Sequence, residues 1–357
     1  WNPLGSSVYY WIPFIQIADL GGIWLVGFAV ALINLLFYIL IKKIIPKTIS
    51  LSILLFLFTT ILSYGYYKIH HTKKLTTPFK CALIQGNVEQ HNKWNQNYRL
   101  KNFQKYLTMT ETAAEQGAEI IFWTETAATC YLRNNFFYKN SISSLAQEKK
   151  ISIYTGSLDY RENKSYNSAF GFDSTGNMIF SYDKIKLVPF GERIPLSEKF
   201  PILNKYDLGQ GDFFYGEEYK LAEYRNFQFP TLICYEIIFP DFVREYVNKG
   251  ADFIVNMTND AWFGKHSAPY QHAYLTPFRA VEFRIGVLRA ANTGFSFIVD
   301  QIGEIHHFSS LYQDDIIIDN IPIKTEETFY EKYGDWFILT LLFMFLFIII
   351  RKQLAFK

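Results

Sequence analysis

Three long runs without a charged side chain limit what this chain can fold into more than any motif does. The first, Ile23 to Ile41, reads IWLVGFAVALINLLFYILI, nineteen residues. At about 1.5 Å of rise per helical residue it approaches the roughly 30 Å of a bilayer's hydrocarbon core. Ile49 to Tyr67 is a second such run, and Trp336 to Ile350 a shorter third that ends in Arg351 and Lys352. A buried core helix is the alternative for any one of them, most of all for the third. Taken together they read as transmembrane helices over about 23–41, 49–67 and 336–350. Neither Met nor a signal-peptide pattern precedes the first run, and Trp1 begins abruptly, so the start reads as truncated.

Lys42, Lys43 and Lys47 lie between the first two runs, and Arg351, Lys352 and Lys357 follow the last, which marks both places as cytoplasmic. Three crossings then put residues 1–22, read as a loop, and the polar stretch 70–333 on the outer face, leaving 351–357 as a cytoplasmic tail. In a bacterium that outer side is the periplasm or cell exterior. Lys68, Lys73 and Lys74 flank a span on the supposed outer side and oppose this orientation.

The chain is 50% hydrophobic and 18% aromatic with a net charge of +2, and no nucleic-acid partner is expected. Cys81, Cys130 and Cys234 are an odd number, with no CxxC pair and no metal-ligand spacing, so neither a disulfide framework nor a metal site is expected. Cys81 and Cys130 read as core residues. The pairs His70-His71 and His306-His307 lack a spaced third ligand and read as surface or interface residues.

The polar stretch has no linker, repeat or low-complexity tract, which suits one large domain. Strand patterns recur at Cys81–Ile84, Ile120–Trp123, Ile151–Gly156, Ser168–Asp173, Thr231–Cys234, Phe253–Met257 and Phe295–Val299. Between them, Tyr98–Gln116, Asp241–Asn248 and Tyr274–Arg284 read as helices. Strands alternating with helices give an α/β class.

Glu125 and Cys234 both sit at the carboxyl ends of apolar strands, the edge at which ligand sites of α/β sheets collect. A thiol between such a strand and the helix in IIFPDFVREYV would meet the positive end of that helix, which favours thiolate. A nucleophilic thiol also requires a base and a stabiliser for its oxyanion. Glu125 suits the first task, and Lys184, in the apolar-flanked segment SYDKIKLVPFGERIP, the second. Each has a duller explanation: Glu125 as a helix cap, Lys184 as a solvated side chain, Cys234 as core. A Cys234–His272 pair is a rival, but neither residue carries a local signature for it.

The segments IQGNVEQHNKW, FWTETA, YDKIKLVPFGERIP, ICYE, NMTNDAWFG and RAVEFRIGVLRAANTGFS follow one another between Ile84 and Ser296. In that order they resemble the nitrilase superfamily and, within it, the bacterial apolipoprotein N-acyltransferases. The narrower likeness rests on Lys93-Trp94, Leu187–Glu192, Cys234–Glu236, the opening IPFIQIADLGGIWLVGF and the tail TFYEKYGDW. The resemblance implies a four-layer α-β-β-α sandwich flanked by membrane helices and a catalytic triad of Glu125, Lys184 and Cys234. It also implies further amino-terminal spans that this sequence lacks. Arg193 and Lys186 depart from the family pattern and receive no catalytic role.

The chemistry so implied is acyl transfer from a phospholipid to Cys234 as a thioester, then to the α-amine of a diacylglyceryl-cysteine at a lipoprotein amino terminus. Glu125 would move protons, and Lys184 with the backbone N–H after Cys234 would hold the oxyanion. Glu192 and Glu236 would position Lys184 or incoming groups, while Trp94 and Tyr235 would line the acyl or glyceryl path. No cofactor is implied. Phe190, Phe200, Phe213, Phe214, Tyr215, Trp262 and Phe263 suit a lipid substrate, although core packing explains about half of such residues. Asn259 and Asp260 read as loop-holding residues and Gly294 as a tight turn. Two alternatives use the same residues: a membrane-tethered amidase or nitrilase in which water resolves the thioester, and an inactive scaffold.

Overall fold

The protein is described from a computed structural model that covers residues 2–195 and 212–355. Trp1, Phe200 and Lys357 fall outside them. The amino-terminal third is helical, with α1 at Ile12–Ile15, α2 at Ala18–Lys42 and α3 at Lys47–His71. The chain then runs through β1 (Thr76–Gln85), α4 (Gln90–Lys93), α5 (Gln96–Glu115), β2 (Ala118–Phe122), β3 (Ala128–Tyr131) and α6 (Phe136–Lys149). Next come β4 (Ser152–Arg161), β5 (Lys164–Phe172), β6 (Met178–Asp183), β7 (Ala222–Tyr224), β8 (Phe227–Phe229) and β9 (Thr231–Ile233). The remainder is α7 (Pro240–Asn248), β10 (Phe253–Thr258), α8 (Ala268–Ala273), α9 (Thr276–Phe283), β11 (Gly286–Ala291), β12 (Phe297–Val299), β13 (Ile305–His306), β14 (Asp315–Pro322), α10 (Phe329–Tyr333) and α11 (Trp336–Ala355).

One sheet runs in the order β14-β1-β2-β4-β5-β6 with β3 also paired to β4, and the second runs β13-β12-β11-β10-β9. Their facing sides share one apolar core, in which Leu83, Phe122 and Tyr154 meet Leu232, Val255 and Val287. The outer face of the first sheet packs Ile84, Ile121 and Ile153 against Phe103 and Tyr106 of α5 and Ile142 of α6. Helices α7 and α9 close the other side through Val243, Val247, Ala280 and Phe283. This is an α-β-β-α sandwich, as the family resemblance implies. Burying both faces of each sheet explains why its strands read as apolar runs rather than alternating ones.

Local chemistry sets several boundaries. Asn95 caps α5 by accepting the Asn97 N–H (3.0 Å), and Gly117, with φ of 89°, ends it. The expected helix 274–284 begins only at Thr276, because Pro277 sits in its first turn and α8 ends at Ala273. Helix α6 was not legible, since Phe136 and Phe137 point to solvent and blur its apolar stripe.

Residues 2–22 differ from the expected loop. They form a 3-10 turn at Leu4–Val8, α1 and the start of α2, and bury Phe14, Ile15 and Ala18 against Phe278 and Val281 of α9. Helix α2 kinks at Gly21 and Gly22; Gly22 has φ of 65°, and a Cβ there would lie 2.7 Å from the Tyr330 ring. Helices α2 and α3, 25 residues each, are long and apolar enough to cross a membrane, with only 22% of each apolar window covered by the rest of the chain. Helix α11 is a further helix of 20 residues, Trp336–Ala355.

Asp19 ties these helices to the sandwich. It accepts from Arg284 Nη2 (2.6 Å) and the Tyr64 hydroxyl (2.7 Å), with Lys68 Nζ at 3.3 Å, and Arg284 also donates to Gln16 Oε1 (2.6 Å). Arg284 is wholly buried, and removing Asp19 leaves it only the more distant and partly exposed Glu326, 3.7 Å from Nε, among the described carboxylates. Asp19→Ala should therefore lower stability by about 3–5 kcal/mol, read as a fall in the thermal unfolding midpoint in detergent. An unchanged midpoint would show that the junction carries no such load.

Candidate active site

Three strand ends meet at one edge of the sandwich. Beyond β2 the chain turns through Trp123, Thr124 and Glu125, fixed by Trp123 Nε1 donating to Thr110 (2.7 Å) and by Tyr106 Oη against Thr124 Oγ1 (2.6 Å). The turn presses on β4 at Gly156, where a Cβ would come within 2.7 Å of the Glu125 Cα. Lys184 follows β6, its N–H on the Asn167 carbonyl (2.9 Å). Cys234 follows β9 with φ of 50°, a left-handed conformation that costs a non-glycine residue energy.

The structure brings Glu125, Lys184 and Glu192 into direct contact. Lys184 Nζ lies 3.4 Å from Glu125 Oε1 and 2.8 Å from Glu192 Oε2, with only 1% of the lysine side chain exposed. Asn167 Nδ2 donates to Glu125 Oε1 (2.8 Å) and Glu192 Oε1 (2.9 Å), and the Asn259 N–H donates to Glu125 Oε2 (2.9 Å). Burial works to discharge Lys184, but Glu192, then Glu125 and Cys234, outweigh it and hold its pKa well above the usual lysine range.

Glu236 acts by another route than expected: it reaches the lysine segment through the backbone. Its Oε1 accepts from the Tyr182 hydroxyl (2.7 Å) and the N–H groups of Ile185 (2.7 Å) and Lys186 (3.1 Å), and Oε2 accepts from Ile233 N–H (2.8 Å). It thus clamps the chain after β6 to the end of β9. Burial raises its pKa to about 7 against these bonds.

Beneath Cys234 lies a network that sequence reasoning undervalued. His272 Nε2 stands 3.2 Å from the Cys234 carbonyl oxygen and Nδ1 2.9 Å from Asp260 Oδ1, while Arg289 Nη2 donates to Asp260 Oδ2 (2.8 Å). Asn256 Nδ2 also donates to the Cys234 carbonyl (3.2 Å) and takes Arg289 Nη1 on its own oxygen (2.6 Å). The ligating atoms of Cys234, Asp260 and His272 fall within 4.8 Å of one another, but Asp260 is already committed to Arg289 and His272. Burial would raise the Asp260 carboxyl, yet Arg289 and then His272 bring it down to about 2. The Cys234–His272 proximity set aside above therefore exists, as support for the main chain. Arg289 was missed because it lies inside β11, every residue of which is buried.

A family model described as carbon-nitrogen hydrolase matches residues 80–330. The apolipoprotein N-acyltransferase of Geobacter metallireducens is 36% identical over 348 residues, 94% of this chain and 67% of that protein. The enzyme of the same name from Rickettsia bellii is 31% identical, over 98% of this chain and 70% of its own length. This chain belongs to the apolipoprotein N-acyltransferase family. An amidase from Nesterenkonia sp. AN1 matches with a TM-score of 0.55 at 17% identity, over 74% of this chain and 99% of its own, which shows a shared nitrilase fold.

Other residues carrying the family likeness fall around this edge. Trp94 is 39% exposed, and Tyr235 meets Phe239 edge-on, with ring centroids 4.9 Å apart. Phe190, Tyr215 and Trp262 are exposed. A cavity of about 980 Å³ is lined in part by Gln90, Tyr98, Lys101, Lys265 and Tyr312, and Gln90 Oε1 accepts from Asn259 Nδ2 (3.0 Å). Arg193 is occupied by the Phe213 carbonyl (2.7 Å), and Lys186 lies over the Phe239 and Phe242 rings. Gly294 has a reason other than the expected turn: a Cβ would sit 2.2 Å from Asp260 Oδ2. Near His306, Asp300 and Glu304 supply the neighbours that the sequence did not show, with Lys74 Nζ bridging them at 2.8 and 3.1 Å.

The helix-end effect expected at Cys234 does not govern it. A 3-10 turn, Cys234–Ile238, separates it from α7, and burial, then Glu125, push its thiol up despite Lys184. Alkylation of Cys234 by iodoacetamide should accordingly keep rising with pH beyond the range of a free thiol, and a plateau near neutrality would contradict this. Asp260→Asn should cost about 3–5 kcal/mol by leaving Arg289 buried without its carboxylate, read in thermal unfolding.

Proposed function

We propose that this chain transfers an acyl chain from a phospholipid, through a thioester on Cys234, to the α-amine of the diacylglyceryl-cysteine of a lipoprotein. The observation that carries this is a buried thiol at a strand end beside a carboxylate and a charge-compensated lysine, in a chain of this family. Glu125 takes the Cys234 proton as sulfur attacks the ester carbonyl, and Lys184 holds the oxyanion. Collapse breaks the ester C–O bond, and the departing alkoxide takes the proton from Glu125 to leave lyso-phospholipid. The acceptor amine then attacks the thioester, Glu125 removes its proton, and the amide forms as Cys234 regains a proton. Glu192 holds Lys184, and Trp94, Tyr235 and the exposed aromatic residues line the lipid path.

In this reading α2, α3 and α11 cross a bacterial inner membrane with the sandwich on the periplasmic face. Of the lysines that oppose this orientation, Lys68 is engaged by Asp19 (3.3 Å) and Glu326 (2.8 Å), and Lys74 by Asp300 and Glu304. They serve the fold rather than mark a cytoplasmic loop. The same triad would serve a tethered amidase; the uncovered apolar faces of α2 and α3 favour the lipid substrate.

Incubation with phospholipid and a diacylglyceryl-cysteine peptide should yield lyso-phospholipid and N-acylated peptide in equal amounts. Free fatty acid without acylated peptide would instead assign the site to hydrolysis. Glu125→Gln and Lys184→Met should each slow turnover by about 10²–10⁴-fold, and Cys234→Ala should abolish it.

A further inference from the structure

Lys93 is the one residue of the Lys93-Trp94 motif that the reaction above leaves unused. It ends α4, is 2% exposed, and points its ammonium at the turn that carries Glu125, donating to the Glu125 main-chain carbonyl at 2.9 Å. Lys184 rests between two carboxylates, whereas the hydrogen bond of Lys93 goes to a neutral oxygen. The ionisable groups acting on Lys93 are Glu125, from the turn after β2, and Cys234, from the end of β9; α5, packed against α4, adds the neutral Asn102 at the Asn92 carbonyl.

The charge balance gives this position a purpose. Glu125 and Glu192 carry two negative charges and Lys184 one positive, so these three leave a buried site net negative before the thiol has ionised. Such a site opposes a thiolate and an oxyanion alike. A second ammonium within reach of Glu125 and Cys234 restores neutrality.

We propose that Lys93 is a positioning residue for the Cys234 chemistry, fixing the Glu125 turn through its carbonyl and supplying the positive charge that makes the thiolate accessible. This rests on the reading of Cys234 as the nucleophile and adds a second lysine to the site. Burial, the largest influence, brings Lys93 down to about 8, against Glu125 and Cys234. Its charge is therefore present near neutral pH and is lost as the solution becomes alkaline.

The test follows Cys234 alkylation by iodoacetamide from pH 6.5 to 9.5, in detergent-solubilised protein, quantified on the Cys234 peptide by mass spectrometry, for wild type, Lys93→Met and Lys93→Arg. Near pH 7 Lys93→Met should react about tenfold more slowly than wild type, the equivalent of one pH unit in the thiol. The two should converge to within about twofold at the alkaline end, where the wild-type ammonium has lost its proton. Lys93→Arg should match wild type near neutrality and outpace it at the alkaline end. Equal rates for Lys93→Met and wild type at all pH values would overturn the proposal. So would a deficit that does not change with pH, the mark of a merely structural role, and unfolding midpoints identify a variant that has lost its fold. The same samples exposed to phospholipid separate the two readings: the alkylation pattern without acylation of wild type removes the acyl-transfer reading and leaves the role of Lys93 intact, and acylation without the pattern does the reverse.

Discussion

A lysine ammonium held out of water beside two carboxylates is the interaction on which the rest of the site depends. Moving Lys184 into the interior costs several kcal/mol unless opposite charge meets it at short range. Glu192 and Glu125 do so, with Asn167 bridging the pair. In the first sheet β4 and β5 separate β2 from β6, so the cluster depends on the turn after β2 crossing Gly156 of β4 to bring Glu125 to Asn167 of β5, beside which Lys184 leaves β6. Cys234 comes from the other sheet. The two-sheet packing is therefore what turns a structural ion cluster into a site with a thiol facing it, and Glu236 locks the two sheets at that edge through the N–H groups of Ile185 and Ile233.

The elements legible in sequence were those with one dominant signal. Apolar runs marked β1, β2, β4, β9 and β10, and the stripe of Phe103, Tyr106 and Leu107 marked α5. Motifs brought Glu125, Lys184 and Cys234 to notice, and the structure places the first two in contact and the third at the same edge. Legibility failed where a residue's environment comes from elsewhere in the fold. Arg289 looks like a surface charge within GVLRAA until Asp260 and Asn256 are placed against it. The elevated thiol of Cys234 likewise depends on Glu125 and on burial between the sheets, neither of which local helix logic contains. Residues 2–22 misled for a related reason: Gln16 and Asp19 look like solvated loop residues, yet both serve Arg284 on the sandwich.

That last contact joins the apolar helices to the sandwich at the end of α9. Helix α9 packs on α2 on one side and on β11 on the other, and Glu282 within it accepts the Ile23 N–H at 2.9 Å while pairing with Arg279. Arg279 in turn donates to the Ile238 carbonyl (3.2 Å), at the end of the turn opened by Cys234. A short path of buried and part-buried contacts thus leads from the first apolar helix to the turn that Cys234 opens.

The central claim is that Cys234 carries the acyl chain between donor and acceptor, and intact mass tests it most directly. Folded protein, extended to full length where the chain is longer, is incubated with phospholipid alone and weighed before and after hydroxylamine. The expected result is a gain of one acyl chain that hydroxylamine removes and that Cys234→Ser does not show. A folded wild type that gains no mass, yet hydrolyses simple amides, would contradict the claim and assign the same three residues to an amidase.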